Sequence, residues 1–362
     1  MVTSEDVARL AGVSRATVSR ILNGSAKVSE DLRQRVQDAV ATLGYEPDPA
    51  ARTLVGRRSR QIVIGFFTHY AWSLAGLAQP QYYFYLNVLS EIERVASVAG
   101  YDLILPSHPR DRGGSGYVRG LRARRVAGVI VAGCSLDDPR IPALVEAEIP
   151  TVLIDARGSG PRATFVASDN AGGARAAAEH LISLGHERIA VVAGPDIDLA
   201  GFDRVVGTAE ALGMAGLPAD PLLMARMGWS TQAGYEATRS LLEHGVRFSA
   251  LVAHSDMLAF GALHALDEAG LRVPEDVSVT GFDDIDLARY TRPPLTTVRQ
   301  DVGAIAKAAL NALFALMEGG SGQVAPVRVP TQLVVRSSTA PVGERLRRMS
   351  RRPSRRASSV AR

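Results

Sequence analysis

"LAGVSRATVSRILNG", residues 10–24, sets a glycine between two short stretches with helical periodicity. At about 100° per residue, Arg15, Ala16, Ser19 and Arg20 share one face of the second stretch, and Val18 and Ile21 point the opposite way. Ser14 is placed to cap that helix, which runs to about Leu22 and ends at Asn23-Gly24. Upstream, Thr3 followed by Asp6 reads as a capping box for a first helix that turns Val7, Leu10 and Ala11 inward. Gly12 breaks it, and Val13 packs back. Downstream, Ser29 opens a third helix, with Glu30 and Asp31 in its first turn and Leu32, Val36, Val40 and Leu43 at helical spacing. Three short helices with a tight glycine turn between the first two make an all-α helix-turn-helix domain.

Such a domain places its second helix in the major groove of DNA, where early residues meet base edges. Arg15 can donate two parallel hydrogen bonds to a guanine, and Ala16 can touch a thymine methyl. Thr3, Ser14, Ser19, Asn23 and Lys27 are short or basic groups suited to phosphates, which set register without reading sequence. Thr17 and Arg20 complete the DNA-facing candidates. A solvated face on a purely structural bundle would need neither the glycine turn nor this face chemistry. The sequon Asn23-Gly24-Ser25 carries no meaning in a cytosolic protein.

Charge is distributed to match. The 362 residues carry a net +4. Residues 1–60 contribute +3 and the Arg-rich residues 344–362 contribute +7, leaving −6 for the long middle. Basic ends around an acidic centre are expected if nucleic acid is met only at the ends. A hydrophobic share of 46% with 22% charged residues is that of a soluble globular chain, too long for one ordinary domain. No apolar run reaches the roughly 18 residues of a membrane span, and the start "MVTSEDVARL" is no signal peptide. The expected location is therefore the cytoplasm, on the nucleoid. The single cysteine, Cys134, excludes an internal disulfide and a multi-cysteine metal site, and reads as a small, partly buried hydrophobe.

Here a family resemblance becomes specific. "TSEDVARLAGVSRATVSRILNG" and "VSEDLRQRVQDAVATLGYEPDPAARTL" closely resemble the N-terminal region of the lactose-repressor (LacI/GalR) family of bacterial transcription regulators. The resemblance implies that Pro47–Leu54 is that family's hinge, with Leu54 as an apolar wedge in a minor-groove base step and Arg52 beside it on the DNA. The segment's own chemistry suits this role: Pro49 fits a first helical turn, Asp48 can cap it, and the helix is too short to be stable alone.

From about Gln61 the pattern alternates between strand and helix. "IVIGFF", "YDLILP", "VAGVIVAG", "TVLIDA", "RIAVVAG", "ALVAH" and "VSVTGFDD" are apolar runs; "YLNVLSEIERVASVAG", "ARAAAEHLISLG", "AGYEATRSLLEHG" and "MLAFGALHALDEAG" lie between them with helical spacing. Alternating units of this kind predict an α/β core of two parallel-sheet subdomains with a cleft between them. The resemblance continues through "SDNAGGARAAAEHLISLGHERIAVVAGP", "EAGLRVPEDVSVTGFDDI" and "PPLTTVRQD", and implies the periplasmic-binding-protein-like fold. The resulting domain division is a helix-turn-helix over 1–47, hinge and linker over 48–60, a core over 61–340 and a basic disordered tail over 341–362. Within the core, one subdomain is expected over about 61–164 and 294–323 and the other over about 165–293 and 324–340, with crossings near Phe165, Pro293 and Gln323.

Ligands in such folds lie beyond the carboxyl ends of strands. Asp155 closes "TVLID"; Ser255 and Asp256 follow "LVAH"; Asp283 and Asp284 follow "VSVTGF". Carboxylates accept from paired hydroxyls, and Trp229 offers a face for stacking on a ring. The resemblance places Asp155, Arg204, Trp229, Ser255 and Asp283 in the effector pocket, with Phe84 and Tyr85 on the facing wall, and leaves Asp256 and Asp284 structural. Two features depart from the family pattern. "THYAWSLAGLAQPQYY" is longer than usual before Phe84 and brings His69, Tyr70 and Trp72 to the pocket mouth, and Ser255 stands where asparagine is common.

The reading is a sequence-specific transcription regulator, a repressor, that binds a pseudo-palindromic operator as a homodimer or higher oligomer. A small-molecule effector of carbohydrate type switches it. It requires no cofactor, metal or membrane. A transport-type solute-binding protein would account for the core and not for the DNA-reading module. An enzyme is disfavoured. "GSGPRA" at Gly158 lacks the helix a dinucleotide fingerprint needs, and no phosphate loop, nucleophile elbow or metal-binding histidine pair is present.

Overall fold

The computed structural model describes residues 2–22, 28–45, 60–66, 79–105, 113–195, 197–217, 220–319 and 323–343. Asn23, Lys27, the hinge Pro47–Leu54 with Arg52 and Leu54, the segment holding His69, Tyr70 and Trp72, and the Arg-rich tail from 344 onward lie outside them. The chain divides into two units, Met1–Ser59 and Arg60–Arg362.

In the first unit, helices α1 (Ser4–Ala11), α2 (Arg15–Leu22) and α3 (Glu30–Leu43) enclose Val7, Ala8, Ala11, Val18, Ile21, Val36 and Ala39. Thr3 and Asp6 form the reciprocal capping box of α1. Gly12 then adopts φ +65°, and a Cβ there would lie 2.7 Å from the Arg35 guanidinium, which donates to the Ala11 carbonyl at 2.6 Å. Glycine is required on both counts. Two expectations are corrected. Leu10 is 54% exposed, because Ala8 and Ala11 centre the buried stripe away from it. Ser29 occupies the N-cap of α3 without a side-chain capping bond.

In the second unit, β1 (Gln61–Phe66), α4 (Tyr83–Val98), β2 (Asp102–Ile104), α5 (Gly114–Arg124), β3 (Gly128–Ala132), α6 (Arg140–Glu146), β4 (Thr151–Ile154) and β5 (Ala163–Ser168) build the first sheet and its covering helices. Then follow α7 (Asn170–Ser183), β6 (Ile189–Ala193), α8 (Leu199–Met214), β7 (Met224–Arg226), α9 (Thr231–Glu243), β8 (Ala250–Ala253), α10 (Asp256–Glu268), β9 (Ser278–Thr280) and β10 (Thr297–Gln300). The chain closes with α11 (Val302–Glu318), β11 (Val327–Val329) and β12 (Thr331–Val334).

The larger sheet has the order β11-β5-β4-β3-β1-β2, the smaller β7-β6-β8-β9, and every pairing in both is parallel. Strand alternation explains the layers. Ile62, Ile64, Ile130 and Ile154 face α4 and α11, whereas Val63, Val129, Val131 and Leu153 face α5 and α6. Both faces are covered, so these strands read as unbroken apolar runs. In the smaller sheet, Val192 and Leu251 face α9 and α10, and Ile189 and Val252 face α7 and α8.

The chain crosses between subdomains three times, each later than expected. It leaves the larger sheet after Ser168, not at Phe165, because Phe165 and Val166 still pair with β4. It returns after Gln300, not at Pro293: β10 pairs with β12, and Val298 packs with Phe282 and α7. The last crossing follows Val329, not Gln323, since β11 pairs with β5. Pro341–Gly343 continues the core, where Val342 is buried and donates to the Leu184 carbonyl at 2.9 Å.

Candidate functional site

The first site is the exposed face of α2. Ser14 accepts from the Thr17 amide at 3.1 Å, which starts the helix and turns its first residues outward. Val18 and Ile21 are buried against α1 and α3, leaving Arg15, Ala16 and Arg20 exposed and Ser19 and Thr17 half-buried. Arg15 Nε donates to Ser4 Oγ at 3.1 Å, so the root of the side chain is held. Thr3 Oγ1 donates to Asp6 at 2.7 Å, and Ser14 Oγ lies 2.9 Å from Thr17 Oγ1.

The second site is the cleft of the larger unit. Asp155 follows β4 and Asp283 follows β9, both at positive φ (53° and 120°), a strained choice for a residue with a side chain. Arg204, on α8, ties the floor together. Its Nε donates to Asn170 Oδ1 at 2.9 Å, and its Nη1 donates to the His254 carbonyl at 2.5 Å and lies 3.5 Å from Asp283. Its guanidinium covers the Phe282 ring at 3.8 Å. Asn170 donates to Asp155 at 3.4 Å, and Gln300 donates to Asp283 at 2.7 Å. Burial pushes both carboxyls up to about 6, with Arg204 pulling the other way. Burial and the nearby carboxylates of Asp155 and Asp198 push the Tyr85 phenol well above its ordinary range.

A cavity of about 380 Å³ is walled by Gln81, Tyr82 and Ser135 from one subdomain and by Asp198, Met227 and Trp229 from the other. The bonded group lies outside its lining and meets it through Arg204, 5.6 Å from the centre of the Trp229 ring. Trp229 Nε1 donates to Asp198 at 2.8 Å, and its ring lies flat over Gly194, where any Cβ would overlap it.

The sequence candidates divide accordingly. Asp155, Arg204 and Asp283 come together at the floor, Tyr85 interacts with them, and Trp229 lines the cavity. Ser255 caps α10 through the Leu258 amide at 3.1 Å. Phe84 packs with Ile62, Val88 and Ile305 inside the larger subdomain. Asp256 is fully buried and accepts from the Ile285 amide and Thr297, and Asp284 pairs with Arg299 and Arg336; both brace loops. Cys134 is buried beside the cavity, its thiol pushed up by burial. Asp198, Asn170 and Gln300 were not anticipated. Only Asp198 has a local signal, an aspartate three residues before a glycine at a helix start. Among the described residues no group of His, Cys, Asp and Glu could hold a metal ion, and no helix is long and apolar enough to cross a membrane.

Residues 3–48 match the family described as bacterial regulatory proteins, lacI family, and residues 178–339 match the periplasmic binding protein-like domain. The chain is 35% identical to the HTH-type transcriptional regulator CelR of Thermobifida fusca, over 93% of this chain and 98% of that protein. The chain belongs to the lacI family of bacterial regulatory proteins. It is 32% identical to the lactose operon repressor of Escherichia coli strain K12, over 93% of this chain and 91% of the repressor. Among solved structures, the lac repressor dimer bound to operator and the anti-inducer ONPF superposes with a TM-score of 0.82 at 30% identity, covering 94% of this chain and 99% of that one. The CelR–cellobiose complex matches with a TM-score of 0.69 at 32% identity, covering 93% and 100%. As a lacI-family member the chain is a helix-turn-helix transcription regulator and not an enzyme, so the histidines and buried acids are read as framework and binding groups.

Proposed function

We propose that this regulator is a repressor that binds a pseudo-palindromic operator as a homodimer, and that a sugar held in the cleft switches its operator affinity. The observation that carries this reading is the bonded group of Asp155, Asn170, Arg204 and Asp283, with Arg204 5.6 Å from the ring of Trp229, which lines a cavity of about 380 Å³. Rigid carboxylates with an arginine between them offer acceptors for vicinal hydroxyls, and Trp229 offers an apolar ring face. The cavity walls belong to two subdomains joined by three crossings. A ligand touching both walls has different affinity for their open and closed arrangements, which is the requirement for a switch.

On the DNA side, Arg15, Ala16, Thr17 and Arg20 meet base edges, and Thr3, Ser14, Ser19, Asn23 and Lys27 meet phosphates. Pro47–Leu54 is the hinge through which the core acts, with Leu54 as the wedge and Arg52 on the groove. The place of action is the cytoplasm, on the nucleoid. The solved CelR complex with cellobiose makes that disaccharide the first sugar to try. Selection of bound DNA from a random pool, with and without cellobiose and other free sugars, tests the proposal. An enriched palindrome whose recovery changes with one sugar is the expected result. Enrichment that is the same with every sugar defeats the effector half, and no enrichment defeats the DNA half.

A further inference from the structure

Resting on the reading of the cleft as a sugar site, we propose that Asp198 makes it selective by charge. It admits uncharged sugars and excludes their phosphorylated counterparts.

Asp198 is fixed on the cavity wall from two sides. Oδ1 accepts from the Gly201 amide at 2.7 Å, capping α8, and Oδ2 accepts from Trp229 Nε1 at 2.8 Å. The Trp229 ring is itself seated on Gly194, so this carboxylate cannot swing aside to make room for an anion. Among the described residues lining the cavity, Asp198 and Glu236 are acidic and none is basic.

Outside that lining, Asp155 and Asp283 add two more carboxyls, and the cation beside them, Arg204, donates to Asn170 and the His254 carbonyl and lies 3.5 Å from Asp283. Arg157 and Arg328 are both paired with Asp203, at 3.3 and 3.2 Å. A phosphate dianion entering this cavity meets fixed like charges at short range with no basic side chain among the described lining residues, whereas hydroxyls of a neutral sugar donate to the same oxygens. The protein already registers this crowding. Asp198 helps raise the proton affinity of both Asp155 and Tyr85. Removing its charge while keeping its acceptor oxygen should therefore open the site to anions.

Isothermal titration calorimetry on the full chain tests this with three probes: glucose, cellobiose and glucose 6-phosphate. They are titrated into the wild type, Asp198→Asn and Asp198→Ser. Asparagine and serine both retain a capping oxygen, so the serine variant decides should the asparagine variant misfold. Expected is that glucose 6-phosphate binds the two variants at least about tenfold more tightly than the wild type, which shows no more than weak binding by the Arg-rich tail. Binding to the Arg-rich tail is common to all three proteins and drops out of the comparison. Wild type that takes glucose 6-phosphate as well as glucose, or variants that gain none, overturns the charge gate. Failure of every neutral sugar to bind the wild type would instead defeat the sugar-site reading, and the glucose 6-phosphate arm is scored apart from it.

Discussion

The DNA-reading face of α2 and the floor of the cleft are both polar surfaces mounted on apolar supports, yet they are assembled over different distances along the chain. Arg15 is held by Ser4, α2 is started by Ser14, and the core beneath it is closed by residue 39. The cleft draws Asp155, His254 and Asp283 from strand ends, Asn170 from one crossing, Arg204 from a helix and Gln300 from another crossing. A site built from near neighbours loses what is removed and little else. A site built from a bonded network across two subdomains fails as a unit, because each buried charge depends on the others.

Substitutions can break that contrast. The largest effect is expected from Asp283→Ala, which leaves Arg204 buried with an ion partner removed, at a cost of about 3–5 kcal/mol to the core. Urea unfolding should show that loss, and band shifts should show the sugar response gone with ligand-free DNA affinity retained. A retained response would place the ligand elsewhere. Arg15→Ala should cost about 1–3 kcal/mol of operator affinity and relax preference at one base pair, read by competition with substituted operators. An unchanged base preference would remove Arg15 from the reading face. Gly12→Ala forces a side chain into a left-handed turn against Arg35 and should destabilise the first unit by about 1–3 kcal/mol. Thermal melts followed by separate probes for the two units should show the core transition unmoved.

A smaller effect sharpens the comparison through pH. Asp155 and Asp283 ionise near 6, against an ordinary value of 3.8, with burial as the main cause. Between those values the folded core holds protons that the unfolded chain has released, so these groups make the core more stable as pH falls from 6 toward 3.8. Sugar affinity should move oppositely, falling as pH drops through 6 because a protonated carboxyl has one fewer free acceptor. Calorimetry across that range, with DNA binding by α2 as the insensitive control, checks both signs.

Much of the molecule was legible in advance where a single period governed the outcome. Unbroken apolar runs in "IVIGFF" and "VAGVIVAG" placed those strands, and the 3.6-residue repeat placed the faces of α2 and α3. Leu10 was misjudged because one turn of helix offers several apolar stripes, and only contact with α3 selects among them. The crossings ran late for a related reason: β5, β10 and β11 end where their pairing ends, and a partner strand is not visible in a strand's own residues. Phe84 packs in the apolar core of the larger subdomain, a placement that its own neighbours in sequence do not specify, and Ser255 caps α10.

Helix and strand order, the glycine turn, the polar face of α2 and the chemical types at strand ends follow from residue order alone, since each depends on steric preferences and periods that act within a few positions. Which carboxylates share Arg204, how Trp229 fixes Asp198, and that the cavity wall carries acid without base were decided only on folding. Coulomb interactions and packing act through space, and they join residues that the chain holds far apart.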